Sequence, residues 1–334
     1  MTNSSNKCPV VIVTGCLGSG KTTLLSKILK EKEMHATAVL VNEFGKVGLD
    51  HHLLRKVDEK TVLLSGGCIC CSKREDLEKE LTDLLNKKQS GTTFIVNRIV
   101  IETTGLADPA PIIFTILKNP LLKHHFYIES IITTVDAVNG LLHLEKQEES
   151  IKQITSSDKI VITKMDIAHP KQLKMLKEKI LELNPSAEII ESYMKNNIYP
   201  SNLFKNTIKS TRDFLNKIKD HQALKNNSKI RSLSLTFDSP LDWTAFGLWL
   251  SMLLYSHGED ILRVKGLIDV GQNGPVVLNG VQHIIHPPDH LDQWPSNDHR
   301  SHIVFITRSI DPKSILNSLK TFQKFLGSEA SIME

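Results

Sequence analysis

An unbroken G-x-x-x-x-G-K-T motif, Gly15-Cys16-Leu17-Gly18-Ser19-Gly20-Lys21-Thr22, lies between an apolar run at 10–13 and a segment patterned as a helix. No other feature constrains the chain so strongly. A strand must feed a glycine-rich loop that opens directly into a helix, and such a unit belongs to a mainly parallel sheet covered by helices. Gly15, Gly18 and Gly20 let the backbone curl around phosphate oxygens and present N–H groups at the positive end of the helix dipole. Ser19 and the following Thr23 fall in the same phosphate-binding set. Lys21 is expected to reach the β and γ phosphates, and the Thr22 hydroxyl to ligate Mg²⁺. A plain strand-to-helix turn also uses glycine, but the complete consensus and its flanks favour the nucleotide reading.

The pattern around this loop extends it into a domain. Short β-rich runs at 10–13, 37–41, 61–64, 99–102, 130–135, 160–162 and 188–191 alternate with helical patterns at 21–30, 72–88, 109–117 and 170–183. That alternation predicts an α/β fold, a P-loop nucleoside-triphosphatase domain over 1–200. Asn-, Lys- and Ser-rich sequence at 201–228 reads as a linker with one short helix at 211–221. Beyond it, strands at 230–237, 261–270, 276–285 and 302–307 and helices at 243–255 and 313–325 predict a smaller α+β domain over 229–328. Its sheet is expected to be antiparallel or mixed, with helices on one face. Two domains also suit a length of 334 residues.

Composition removes several function classes. Forty-one basic residues against 37 acidic ones, spread along the chain, give no electrostatic footprint for nucleic acid. No apolar stretch approaches a membrane span, and the polar 1–7 segment does not read as a secretory signal. Five cysteines, three of them in one cluster, do not form a disulfide framework, so a reducing cytoplasm is the expected compartment.

The cluster itself, Gly66-Gly67-Cys68-Ile69-Cys70-Cys71, offers up to three sulfurs from one tight loop, which suits Zn²⁺ or another borderline-soft ion. Ser72 and Glu75 form a capping-box pattern, so a helix is expected to begin directly after it, and its dipole would favour thiolates at Cys70 and Cys71. Three thiols leave a tetrahedral site one ligand short, which keeps a metal exchangeable. A redox pair or small buried hydrophobes are the competing uses. The one-residue gap between Cys68 and Cys70 is a poor match to C-x-x-C exchange, and the preceding glycines suggest an exposed loop.

Two further segments look like parts of a nucleotide switch. The run at 99–105 is an apolar strand ending in Glu102, a carboxylate able to hold Mg²⁺ through water, with Gly105 placed to sense the γ-phosphate. At 160–166, Thr163-Lys164-Met165-Asp166 resembles the guanine-reading N-K-x-D signal. Asp166 would accept from the guanine N–H edges and the Lys164 stem would cover the base. Thr163 stands where Asn is expected and cannot supply both an amide donor and a carbonyl acceptor, so guanine selectivity is expected but weaker than usual.

Taken together, TGCLGSGKTTLL (14–25), VNEFGKVGLD (41–50), SGGCICC (65–71), IETTGLADP (101–109) and TKMD (163–166) resemble the CobW-like family of cytoplasmic GTPases, which includes metallochaperones and zinc-transfer proteins. The resemblance continues through LRVKGLIDV (262–270) and VQHIIHPPDHLDQWP (281–295), and so covers nearly the whole chain. It implies GTP and Mg²⁺ at Lys21, Thr22 and Glu102, Zn²⁺ or Co²⁺ at Cys68, Cys70 and Cys71, and Glu43 as an additional metal ligand. Relatives often carry a second acid after the Phe-Gly pair; Lys46 stands there in this chain.

The expected function is therefore a GTP-hydrolysing metallochaperone that passes Zn²⁺ or Co²⁺ to a client metalloprotein. Two other classes compete: a non-catalytic, nucleotide-gated module for metal storage or sensing, and a P-loop kinase or activator serving cobalamin or metalloenzyme assembly. No feature fixes an oligomeric state, so a homo-oligomer stays open. His283, His286, His290, His299 and His302 suggest a metal-acceptance surface, but solvated or structural histidines around a proline-rich turn explain them equally well. Trp243, Phe246 and Trp249, at helical spacing, read as core or interface residues.

Overall fold

The computed structural model describes residues 7–34, 36–41, 62–65, 74–89, 96–192, 200–204, 230–326 and 332–333. The chain divides into two compact units, 3–177 with 187–206, and 207–334 with 178–186.

In the first unit, strands β1 (Cys8–Thr14), β2 (Thr37–Val41), β3 (Val62–Ser65), β4 (Arg98–Glu102), β5 (Phe126–Asp136), β6 (Lys159–Thr163) and β7 (Glu188–Glu191) form one sheet in the order β3-β2-β4-β1-β5-β6-β7. Every neighbouring pair is parallel. Sequences such as VVIV in β1 and IVI in β4 and β6 are apolar on both sides of the pleat because both faces are covered, as a parallel sheet requires. Helix α1 (Lys21–Ile28) follows β1, and its buried Leu24, Leu25 and Ile28 join Val11, Val13, Val39 and Val100 in one core cluster. Each such side chain contributes about 1.5–3 kcal/mol of burial free energy. Helix α2 (Arg74–Gln89) lies within one or two residues of the expected 72–88 helix, although Ser72 falls outside the described residues.

Helix α3 (Ala110–Lys118) takes the place expected at 109–117. Short additional helices follow: α4 (Pro120–His125), α5 (Gly140–Lys146) and α6 (Glu148–Ser156). Helix α4 starts at Asn119, whose side-chain oxygen accepts from Leu121 N at 2.9 Å and Leu122 N at 3.1 Å. Helix α6, EESIKQITS, lacks an apolar repeat because its buried face is itself polar, built from Ser150, Gln153, Thr155 and Ser156 around Ile154. Helix α7 (Pro170–Leu183) leads to β7, and α8 (Pro200–Phe204) buries Leu203 and Phe204 in the same cluster as α1.

The second unit is an antiparallel sheet of β8 (Ile230–Phe237), β9 (Ile261–Ile268), β10 (Val276–Val281), β11 (Ile284–Ile285), β12 (Asp289–His290), β13 (Ser301–Arg308) and β14 (Ile332–Met333). Its order is β11-β10-β9-β13-β8-β14, with β12 also on β10. The single strand expected at 276–285 is instead a hairpin, β10 folding back on β11 through Gln282 at φ 52°. Helices α9 (Trp243–His257) and α10 (Pro312–Leu326) share a core with Leu235, Phe237, Ile303 and Phe305. Phe246 and Trp249 lie in that core with Trp243 packed against it, and the Trp249 indole N–H donates to Ser318 Oγ at 3.0 Å. Among the described residues, no helix is long and apolar enough to cross a membrane.

Candidate nucleotide-binding site

Parallel pairing fixes where the functional side chains meet. Val13 is registered with Glu102 across β1 and β4, Thr14 with Thr133 across β1 and β5, and Asp136 with Thr163 across β5 and β6. The carboxyl ends of four adjacent strands therefore surround the glycine loop of 15–20, the place where open α/β sheets bind ligands. Gly15, Gly18 and Gly20 have φ of 137°, 74° and 94°, in the region that favours glycine. At Gly15 a side chain is also excluded by space, since a Cβ would lie 2.4 Å from Thr134 O.

Several contacts hold the loop in shape. Ser19 Oγ and Thr134 Oγ1 share a hydrogen bond of 2.6 Å, and Ser19 N donates to Cys16 O at 3.1 Å. The buried Lys21 ammonium donates to Gly15 O at 2.8 Å and Cys16 O at 3.0 Å, which places a cation over the carbonyls of the loop. Thr22 Oγ1 donates to Glu102 Oε1 at 2.6 Å, while Thr23, one residue on, is exposed. Two hard oxygen donors meeting at the first turn of α1 are a chemically suitable pair for Mg²⁺. Gly105 packs directly on the loop, where a Cβ would stand 2.4 Å from Leu17 N. Beside it, the Thr104 hydroxyl is buried and has no hydrogen-bond partner among the described residues.

The segment read as guanine-recognising is differently engaged. Thr163 Oγ1 donates to Ser19 O at 2.7 Å, with Val135 O at 3.3 Å, so this hydroxyl braces the phosphate loop. Lys164 adopts φ 57° and its ammonium donates to Asp136 Oδ2 at 2.7 Å. Burial would raise the Asp136 carboxyl, but hydrogen bonds from Lys164, the Val138 N–H and the Asn139 amide outweigh it and hold that carboxyl below its ordinary range. Asp166 is exposed in the turn that follows.

Sequence reasoning missed the residues that tie these parts together from β5 and α6. Cys16 Sγ donates to Gln147 Oε1 at 2.8 Å and shares a hydrogen bond of 2.7 Å with Ser150 Oγ. Burial pushes the Cys16 thiol up, so it is an inert packing group here. The Gln153 carboxamide donates to Gly105 O at 3.1 Å and Ala107 O at 3.0 Å. The signal available was the position of Asp136 at the end of an apolar strand; nothing marked α6.

Glu43, Cys68, Cys70 and Cys71, the expected transition-metal ligands, lie outside the described residues. Among the described residues no group of three His, Cys, Asp or Glu side chains is arranged to hold a metal ion. Two of the second-unit histidines, His302 and His299, have structural partners: His302 Nδ1 is 3.1 Å from Thr236 Oγ1 and its Nε2 3.3 Å from Asp298 Oδ2. Hydrogen bonding from the Arg300 guanidinium holds the Asp298 carboxyl well below the usual range despite some burial. His299 stacks on Trp294 at a ring separation of 5.2 Å.

A phosphate loop at the end of β1, with a carboxylate supplied by the neighbouring β4, defines a P-loop nucleotide-binding protein of the parallel α/β class. Residues 9–191 match the family model for the CobW/HypB/UreG nucleotide-binding domain, and 230–323 match the cobalamin synthesis protein cobW C-terminal domain; the chain belongs to the CobW-like GTPase family. It is 32% identical over 309 residues to the zinc chaperone YjiA of Escherichia coli, covering 90% of this chain and 94% of that protein. It is 35% identical over 192 residues to zinc-regulated GTPase metalloprotein activator 1 of Schizosaccharomyces pombe, covering 55% of this chain and 45% of the relative. The crystal structure of Zn(II)-bound YjiA GTPase superimposes with a TM-score of 0.68 at 28% identity, over 97% of this chain and 99% of that one.

Proposed function

We propose that the protein is a GTP-hydrolysing metallochaperone that holds Zn²⁺ through Cys68, Cys70 and Cys71 and releases it to a client metalloprotein according to nucleotide state. The observation that carries the nucleotide half is the 2.6 Å contact between Thr22 and Glu102, which joins the phosphate loop to the acid at the end of β4. Relatives named as zinc chaperones and as a zinc-regulated activator support the metal half.

In this reading the phosphates displace the loop carbonyls as acceptors for Lys21, and the loop N–H groups bind the oxygens that gain charge during transfer. Thr22 and Glu102 would hold Mg²⁺, which supplies electrostatic stabilisation of the phosphoryl group. Asp166 would accept from guanine, while Thr163 keeps the loop beneath the nucleotide in place. The γ-phosphate sensor is the Gly105 loop. The sequence motifs assign no catalytic glutamine or arginine finger, and slow basal turnover is the expectation.

The cysteine loop lies between β3 and α2 in sequence, and α2 starts only three residues after Cys71. Three thiolates and one exchangeable ligand, Glu43 among the candidates, suit a site that gives its metal up. Co²⁺ would fit the same donors, and cellular availability would choose between the metals. Gating requires different affinities in different nucleotide states; tight binding alone shifts nothing. Zn²⁺ titrations with GTP, with GDP and without nucleotide test this directly. The expected result is an affinity that changes with nucleotide and collapses when the three cysteines become Ser. Equal affinities in all three states would leave storage or sensing as the better reading.

A further inference from the structure

Helix α6 was absent from every expectation, yet it touches both loops of the site. We propose that Gln153 is a positioning residue for GTP hydrolysis, a latch that fixes the Gly105 loop and couples it through α6 to the phosphate loop; this rests on the GTPase reading above. Gln153 is 1% exposed, and its one carboxamide nitrogen donates to Gly105 O and Ala107 O, so both of its protons are spent on the loop that follows β4. The same loop is pinned on its other side, where Gly105 rests against the Leu17 backbone. The backbone carbonyl of Gln153 in turn accepts from Thr133 Oγ1 at 3.0 Å and Ser157 Oγ at 2.6 Å, which anchors this turn of α6 to β5.

One helical turn earlier, Ser150 reaches Cys16 in the phosphate loop, and Lys152 stands 4.0 Å from Asp108 at the far end of the Gly105 loop. A two-proton clamp on two carbonyls restricts the loop more than one hydrogen bond would, and a displacement of Gly105 must either break it or move α6. Because α6 also contacts Cys16, a γ-phosphate that moves Gly105 acts on both loops at once. Gln153 does not touch the reacting atoms; it acts through Gly105.

The test uses the full chain with Gln153→Met, which keeps length but removes both donors, and Gln153→Glu, which sets a carboxylate against two carbonyls. Both are expected to bind GDP within roughly threefold of wild type and to lose on the order of tenfold or more in kcat for GTP. Protonation gives the Glu variant one O–H donor in place of two N–H donors, so its kcat should recover in part between about pH 8 and about pH 6 while the Met variant stays flat. Unchanged kcat in both variants, or identical pH profiles, overturns the latch. Wild-type amide exchange with GTPγS and with GDP is a second measurement that does not depend on the variants folding. Residues 103–108 and 148–156 should change protection together, and independent changes overturn the coupling. A wild-type chain without GTP hydrolysis removes the GTPase reading itself; normal wild-type hydrolysis with indifferent variants removes only the latch.

Discussion

Thr22 and Glu102 stand 80 positions apart in the chain and 2.6 Å apart in the structure, hydroxyl to carboxylate. The contact exists because β1 and β4 are parallel neighbours in register, so that the first turn of α1 begins beside the end of β4. Replacing Glu102 by Gln keeps the shape and an acceptor but removes the charge. GTP hydrolysis should fall by about 10²–10³-fold, and the Mg²⁺ concentration needed for half-maximal phosphate release should rise. Wild-type turnover with an unaltered Mg²⁺ requirement would remove Glu102 from the site.

Gly105 has no room for a methyl group. A Cβ there would meet Leu17 N at 2.4 Å and Leu17 Cα at 2.7 Å, both backbone atoms that cannot rotate away. Gly105→Ala should therefore displace the switch loop from the phosphate loop, at a cost of about 1–3 kcal/mol in chemical denaturation. GTP turnover should drop while GDP affinity is largely kept. Equal loss of both would show general damage to the loop.

Thr104 offers the opposite balance. Its buried hydroxyl has no partner among the described residues, so Thr104→Val should leave the melting temperature unchanged or slightly raised, because an unmet polar group is removed. If the hydroxyl serves bound nucleotide, GTP affinity or turnover should nevertheless fall. Thermal melts with and without GTP separate the two effects.

Asp136 links acid sensitivity to the Lys164 contact. Its carboxyl titrates lower in the folded chain than in the unfolded one, so it contributes stability that is present above the unfolded value of about 3.9 and lost as pH falls through the folded value. Asp136→Asn should lower stability at neutral pH by roughly 1.5–3 kcal/mol. Urea midpoints measured on both proteins should converge as the medium is acidified below about pH 3.9. A gap that persists unchanged in acid would mean the ion pair contributes nothing.

Much of the architecture was legible because its signals are local. Continuous apolar runs marked the buried strands of the parallel sheet, and the expected helices at 109–117 and 170–183 appear as α3 (Ala110–Lys118) and α7 (Pro170–Leu183). The spacing of Phe246 and Trp249 marked them as core or interface residues, and both lie in the core. The hairpin at Gln282 was not, because a turn between two apolar halves of one run leaves no composition change. Helices α5 and α6 were missed for want of a hydrophobic period: α5 is about two turns long and buries only Gly140 and Leu144, and the buried side of α6 is mostly Ser, Thr and Gln.

By itself the sequence determined the glycine-rich loop, the acid at the end of β4 and the family, since each depends on residue types at fixed local spacing. Only the tertiary structure decided what those residues are attached to. It set Thr163 beneath Ser19, Lys164 on Asp136, and Gly105 between Leu17 and Gln153. These pairings join strands and helices far apart in the chain, and their partners are chosen by strand order and register, which no local pattern encodes.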